Sequence, residues 1–222
     1  MNLVDSLIQD GWLKTPEIIK AFRKIKREDF LALRSLGEGG LPEGIKNLAE
    51  LNEALPIGFN QTISQPLTVA FMLELLQPKE GDKILDVGAG SGWTTALLAY
   101  CVSQKGNFEF QNGKVIAIEI VQELAKFGEK NVAKYGFIEK GIVEYVFGDG
   151  SKGFKKEAPY DKIIASASAE AEVPSVWKEQ LKVKGRLVCP IGHSIYSFVK
   201  KSKDEFEKKE FPGFIFVPLV KN

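Results

Sequence analysis

From Lys83 onward, short apolar runs alternate with longer stretches of helical periodicity. "KILDV" (83–87), "KVIAIEI" (114–120), "IVEYVFGDG" (142–150), "YDKIIASAS" (160–168) and "GRLVCPIG" (185–192) are largely apolar segments. This is the pattern of strands covered on both faces. "WTTALLAYCV" (93–102), "QELAKFGEKNVAKYG" (122–136) and Pro174 to Leu181 fall between them and predict helices. Strands alternating with helices imply a parallel sheet with helices on both sides. "IYSFVKK" and "FPGFIFVPLV" close the chain as β segments, joined by the charged run "KSKDEFEKKE" (201–210) as a solvated turn. They predict an antiparallel hairpin added at one end of the sheet.

The N-terminal third reads differently. Thr15-Pro16-Glu17 combines a capping residue with proline in a first turn, and Ile18, Ile19, Phe22 and Ile25 follow at helical spacing. Leu36 to Glu53 is rich in Gly, Glu and Asn and reads as a surface connection with a short helix at Ile45 to Leu51. An apolar helix is predicted from Pro66 to Leu76, stopped by Gln77-Pro78-Lys79-Glu80-Gly81. The expected fold is α/β: a single, doubly wound, mostly parallel Rossmann-like domain over 1–222. Residues 1–56 form a helical N-terminal addition, and 57–222 the α/β core and C-terminal hairpin.

Composition narrows the function. Thirty basic residues face 29 acidic ones among 222, so no basic excess argues for nucleic acid. Two cysteines and one histidine are too few for a zinc cluster or a disulfide framework, so no metal is expected. Cys101 and Cys189 lie in apolar surroundings and read as buried thiols, and His193 as a structural residue. The N-terminus lacks the basic start and apolar run of a signal peptide, and no segment approaches the ~18 to 20 apolar residues of a membrane span. A cytoplasmic monomer with no membrane partner is expected.

"ILDVGAGSGW" carries the chemistry. Gly88, Gly90 and Gly92 stand where a strand passes into a helix, which permits a tight turn and close approach of a ligand to the backbone. A dinucleotide fingerprint would want glycine where Trp93 stands, and Asp86 before the turn would repel a pyrophosphate. An acid there suits an amine or a positive charge. Glu119 ends the next strand, where a carboxylate accepts ribose hydroxyls, and Asp149 ends the third, within reach of an adenine amino group. A ligand with ribose, adenine and a cationic amino-acid tail but no phosphate is S-adenosylmethionine, leaving S-adenosylhomocysteine as product. The alternative for Asp86 and Glu119 is that they merely cap or pair at strand ends. Upstream, "IGFNQTISQP" (57–66) crowds Asn60, Gln61, Thr62 and Ser64 before an apolar helix. These residues either start that helix or hold a ligand.

With these motifs in view, the chain resembles the protein-L-isoaspartate O-methyltransferase family of class I S-adenosylmethionine-dependent enzymes. "AFRKIKREDF", "LPIGFNQTISQP", "ILDVGAGSGWTTALLA", "VFGDGSKGF", "APYDKIIASAS", "EQLKVKGRLVCPIG" and "FIFVPLV" carry the resemblance. It implies methylation of the free α-carboxylate of L-isoaspartyl residues in damaged proteins or peptides, whose ester then closes to a succinimide. It implies Ser64 as the active-site residue, also touching substrate, with Thr62 and Ile63 beside the cofactor. Ala89, Ser91 and Gly150 join Asp86, Gly88, Gly90, Gly92, Glu119 and Asp149 in the implied cofactor site. The backbone at Ser166 and Ala167 is implied to hold the isoaspartyl group. The chain departs from the family pattern at Leu67 and Val69, where many members carry histidines, and in the acidic "AEAE" segment with Glu170 and Glu172. These departures leave two other readings open: methyl transfer to a different acceptor, and a non-catalytic S-adenosylmethionine-binding module.

Overall fold

Five of the apolar runs become parallel strands of one sheet. The computed structural model describes residues 2–31, 44–103 and 113–221, so residues 36–43 of the Leu36–Glu53 connection lie outside the described residues. In chain order come α1 (Leu3–Gln9), α2 (Pro16–Lys24), α3 (Gly44–Ala49), β1 (Leu55–Gly58), β2 (Gln61–Ile63) and α4 (Pro66–Leu76). The core follows as β3 (Lys83–Val87), α5 (Trp93–Val102), β4 (Lys114–Glu119), α6 (Gln122–Ala133), β5 (Val143–Phe147) and β6 (Tyr160–Ala165). The chain ends with α7 (Ser175–Gln180), β7 (Leu181–Ile191), β8 (Ser194–Lys200) and β9 (Phe206–Pro212). Strand order is β5-β4-β3-β6-β7-β8-β9, parallel from β5 to β7 and antiparallel through β8 and β9. Succession runs outward from β3 through β4 to β5, then resumes on its other side at β6. That reversal opens a crevice at the carboxyl end of β3, where open α/β sheets bind ligands.

Alternation along the strands sorts the core into two layers. Ile84, Val115, Ala117 and Ile164 face α4, α5 and α6 together with the N-terminal residues Leu13, Ile18 and Phe22. Leu85, Ile116, Ile163 and Leu187 face Trp177 of α7 and Tyr160. The second face is covered by short elements, since two 3-10 turns, Gly150–Lys152 and Lys155–Glu157, connect β5 to β6. Trp177 is fully buried and donates its Nε1–H to the Gly150 carbonyl at 2.8 Å, tying α7 to the turn after β5. No helix among the described residues is long and apolar enough to cross a membrane.

Two local expectations change. Thr15 occupies the position before α2 but makes no side-chain cap. Its hydroxyl donates to Glu74 Oε2 at 2.7 Å, and its N–H and that of Lys14 both bond Glu74 Oε1 at 2.8 Å. The N-terminal helices are thereby fastened to α4. At the other end, β9 is Phe206–Pro212, so half of the charged run is strand and only 201–205 make the turn. Most of "FPGFIFVPLV" is not a ladder strand. Past Pro212 it leaves the sheet and crosses the crevice.

Asp86 sits at the centre of β3 with no exposed surface, and Thr95 of α5 donates to its Oδ2 at 2.6 Å. Its Oδ1 is buried without a partner. Burial pushes this carboxyl up to about 7, opposed by the Thr95 bond and reinforced by the negative charge of Glu119. The native state therefore keeps a proton here that the unfolded chain, with a carboxyl near ~3.9, has already released. Asp86 stabilises the fold fully below the unfolded value, and that contribution is lost as pH rises toward 7. Thermal unfolding of the cofactor-free protein and of Asp86→Asn, from pH 4 to pH 8, tests this. The wild type should lose Tm relative to the variant as pH rises to about 7 and hold a constant difference above it. Parallel profiles would show that the carboxyl titrates normally.

Candidate active site

The turn after β3 is shaped by backbone conformations that favour glycine. Gly88, Gly90 and Gly92 have φ of +74°, +53° and +87°. A side chain at Gly90 would press on Ile57 of β1 at 3.4 Å. Gly88 and Ala89 donate their N–H groups to the Ile118 carbonyl at 2.9 and 3.1 Å, which bends the chain over the end of β4. The N–H of Gly90 donates to Glu119 Oε2 at 2.8 Å, and the N–H of Val121 to Oε1 at 3.0 Å. Both carboxylate oxygens are thus fixed by main chain, and each retains a lone pair for a further donor.

Facing the turn is the segment that precedes α4. β1 and β2 form a short hairpin through Phe59 and Asn60, both at positive φ, and deliver Thr62, Ile63 and Ser64 to the crevice. The helix is not started by Ser64. Gln65 is the capping position and makes no side-chain cap. Asn52 substitutes from a distance, its Oδ1 accepting the Leu67 N–H at 2.9 Å while its carbonyl accepts Gln65 Nε2 at 2.8 Å. The Ser64 carbonyl accepts from Arg27 at 3.3 Å. Its hydroxyl has no hydrogen-bond partner among the described residues and stays available.

The third side is the chain end. The N–H of Ser168 donates to the Val217 carbonyl and that of Leu219 to the Ser168 carbonyl, both at 2.8 Å. This stitches residues 217–219 to the loop after β6. Phe214 stacks on Phe71 of α4 with centroids 5.4 Å apart, and Phe71 meets Phe211 edge-on at 5.2 Å. The three sides enclose a cavity of about 520 Å³.

Thr62, Ile63, Ser64, Gly88, Ala89, Gly90, Ser91, Glu119, Gly150, Ser166 and Ala167 all line it. Three expected cofactor residues, Asp86, Gly92 and Asp149, are not part of the lining. Asp86 is sealed in the core, so it cannot meet a cationic amine directly. Gly92 packs against α6, where a Cβ would stand 2.9 Å from the Gly128 carbonyl. Asp149 turns its carboxylate onto its own 3-10 turn, accepting the Ser151 N–H at 2.9 Å with Lys152 Nζ at 3.4 Å. The sequence reading missed Arg27, Asn52, Gly128 and the C-terminal roof, since none belongs to a local motif. A carboxylate and a bare backbone turn at strand ends, closed in by apolar residues, fit a ribose and an uncharged purine, and among the described residues no Lys or Arg lines the cavity to pair with a phosphate. The cavity therefore suits S-adenosylmethionine.

The comparisons agree with this geometry. The family model described as Protein-L-isoaspartate(D-aspartate) O-methyltransferase (PCMT) matches residues 1–222. Protein-L-isoaspartate O-methyltransferase 2 of Archaeoglobus fulgidus is 41% identical, over 91% of this chain and 84% of its own length. The protein-L-isoaspartate O-methyltransferase of Methanopyrus kandleri is 37% identical, over 99% and 90%. A Plasmodium falciparum protein described as the same enzyme, solved with S-adenosyl-L-homocysteine, covers 100% of both chains with a TM-score of 0.82 at 22% identity, a likeness of fold. A protein-L-isoaspartate O-methyltransferase structure covers 99% of this chain and 65% of that one, with a TM-score of 0.81 and 26% identity. The glycine turn, the serine-bearing hairpin and the whole-length match converge on one conclusion: this chain belongs to the protein-L-isoaspartate O-methyltransferase family.

Proposed function

We propose that this protein moves a methyl group from S-adenosylmethionine to the free α-carboxylate of L-isoaspartyl residues in proteins or peptides. The observation that carries the reading is that Thr62, Ile63 and Ser64 open into the same cavity as the glycine turn and Glu119. Family membership over the full chain supports it.

Bound here, S-adenosylmethionine supplies an electrophilic methyl group on a sulfonium. Glu119 would accept the ribose hydroxyls on the lone pairs that Gly90 and Val121 leave free. The glycine turn would let the backbone approach the amino-acid tail. The acceptor needs little activation, because an α-carboxylate with a pKa of ~3.5 is already an anion at neutral pH. The protein's task is alignment, and holding reactants in line supplies roughly 7 to 11 kcal/mol in favourable cases. Ser64 Oγ would donate to one carboxylate oxygen and leave the other directed at the methyl. Ser166 and Ala167, which line the same cavity, would hold the isoaspartyl main chain. Phe214, Phe216 and Val217 cover the cavity and keep water from competing.

The deciding experiment offers labelled S-adenosylmethionine with two peptides that differ only in an isoaspartyl or a normal aspartyl linkage. Transfer to the isoaspartyl peptide alone is expected. Cofactor binding without transfer to either peptide would reject the reading and favour a different acceptor or a binding module.

Ser64→Ala should lower kcat on the isoaspartyl peptide by roughly 10- to 100-fold, the worth of one hydrogen bond to a charged group. Cofactor affinity should stay within about threefold. Equal turnover in the variant would remove Ser64 from the mechanism.

A further inference from the structure

Arg27 is a buried cation, 6% exposed, in the 3-10 turn Arg27–Phe30 of the N-terminal addition. Among the described residues, no carboxylate lies within ion-pair distance of it. Its guanidinium is instead held by main-chain carbonyls: Leu51 at 3.0 Å, Ala49 at 3.3 Å, Glu53 at 2.6 Å and Ser64 at 3.3 Å. Its Cζ lies 5.4 Å from the centre of the Trp93 ring, a cation–π distance. Burial lowers its pKa to about 10, which leaves it charged at neutral pH.

The four carbonyls are not scattered. Three belong to the chain just before β1 and the fourth directly follows β2, so the guanidinium closes the base of the hairpin that presents Thr62 to Ser64. Trp93 is the first residue of α5, immediately after the glycine turn. One planar group therefore touches both the acceptor side and the cofactor side of the cavity. The turn that carries it is itself anchored. Tyr135, beyond the end of α6, donates to Asp29 Oδ2 at 2.6 Å and accepts the Lys26 N–H at 2.8 Å, and Lys134 Nζ reaches the Asp29 carbonyl at 2.6 Å.

We propose that Arg27 is a positioning residue for methyl transfer, fixing the Ser64 main chain relative to the glycine turn. It touches no reacting atom. Its part is to hold the hydroxyl that orients the acceptor at the distance set by a rigid strut running from α6 to the hairpin. A charged group is needed because several carbonyl dipoles converge there, and a planar fork because they converge from two segments. The inference rests on the repair reading of the cavity.

Arg27→Lys keeps the charge without the fork, and Arg27→Met keeps much of the volume without either. Both variants should bind S-adenosylhomocysteine within about threefold of the wild type. Their kcat on the isoaspartyl peptide should fall about 10- to 100-fold, the scale of an ångström-sized misplacement, with Lys less impaired than Met. Amide hydrogen exchange should accelerate in residues 50–65 and stay unchanged in the sheet. Wild-type kcat in both variants, or a loss confined to cofactor affinity, overturns the proposal. So does failure of both variants to fold, which assigns Arg27 a purely structural role. An inactive wild type would instead reject the repair reading, and the exchange pattern would still decide whether Arg27 holds the Ser64 hairpin.

Discussion

The close approach of two backbones, the glycine turn and α6, is the constraint on which the site depends. Gly92 and Gly128 stand on its two sides, and a side chain at Gly128 would also run into the Tyr145 hydroxyl. A Cβ at Gly92 would stand 2.9 Å from the Gly128 carbonyl and 2.8 Å from Val132, and one at Gly128 would stand 2.6 Å from the Gly90 carbonyl. Real Cβ atoms do not sit so close, and interiors packed to crystal density have little room to yield. With both side chains absent, α6 lies directly under the turn. Asn131 can then donate to the Ser91 carbonyl at 3.0 Å, and Glu119, at the end of the neighbouring strand, reaches the Gly90 N–H. The carboxylate assigned to the ribose is thus oriented by the same packing that shapes the turn.

That floor is built from sequence-local pieces, whereas the walls come from the two ends of the chain. Thr15 and Glu74 bind the N-terminal helices to α4, and Trp12 meets Phe71 edge-on at 5.7 Å. Phe71 in turn carries Phe211 and Phe214 of the roof. Phe71 of α4 therefore couples the helical addition to the C-terminal segment. The N-terminal elements complete the cavity: without Arg27 and Asn52, the hairpin base and the start of α4 would leave polar backbone groups unsatisfied in a partly buried place.

The parallel strands were legible because burial on both faces writes them as unbroken apolar runs, and the turn because three glycines between strand and helix have few other uses. The helix at Pro66–Leu76 was legible from proline at its first position. Errors arose where an element's surroundings are not local. β9 is an edge strand, and edges carry charge to resist pairing with other chains, so Glu207, Lys208, Lys209 and Glu210 resemble a solvated turn. "FIFVPL" is apolar because it covers a cavity, and a roof and a strand have the same composition. Asp86 was legible as an acid beside the turn. That its carboxylate points into the core toward Thr95 follows from the pleat of β3 and from α5 above it, which the motif alone does not show. Arg27 acts on a hairpin base 22 to 37 residues away and Asn52 on the start of α4, 13 to 15 residues away, and no spacing rule relates them to their partners.

The departures from the family pattern gain a physical account from the same geometry. Leu67 packs against the core and Val69 is 3% exposed within it, while Thr68 between them lines the cavity. The first turn of α4 therefore presents a small hydroxyl to the site, and the two apolar residues seat the helix. Glu170 and Glu172 are exposed. They follow Ser168, whose two main-chain bonds to the 217–219 segment fix the point at which the loop leaves the cavity wall. An anionic acceptor held as proposed between Ser64 and Ala167 would meet hydroxyl and main-chain groups, while the exposed acids of the loop are screened by water.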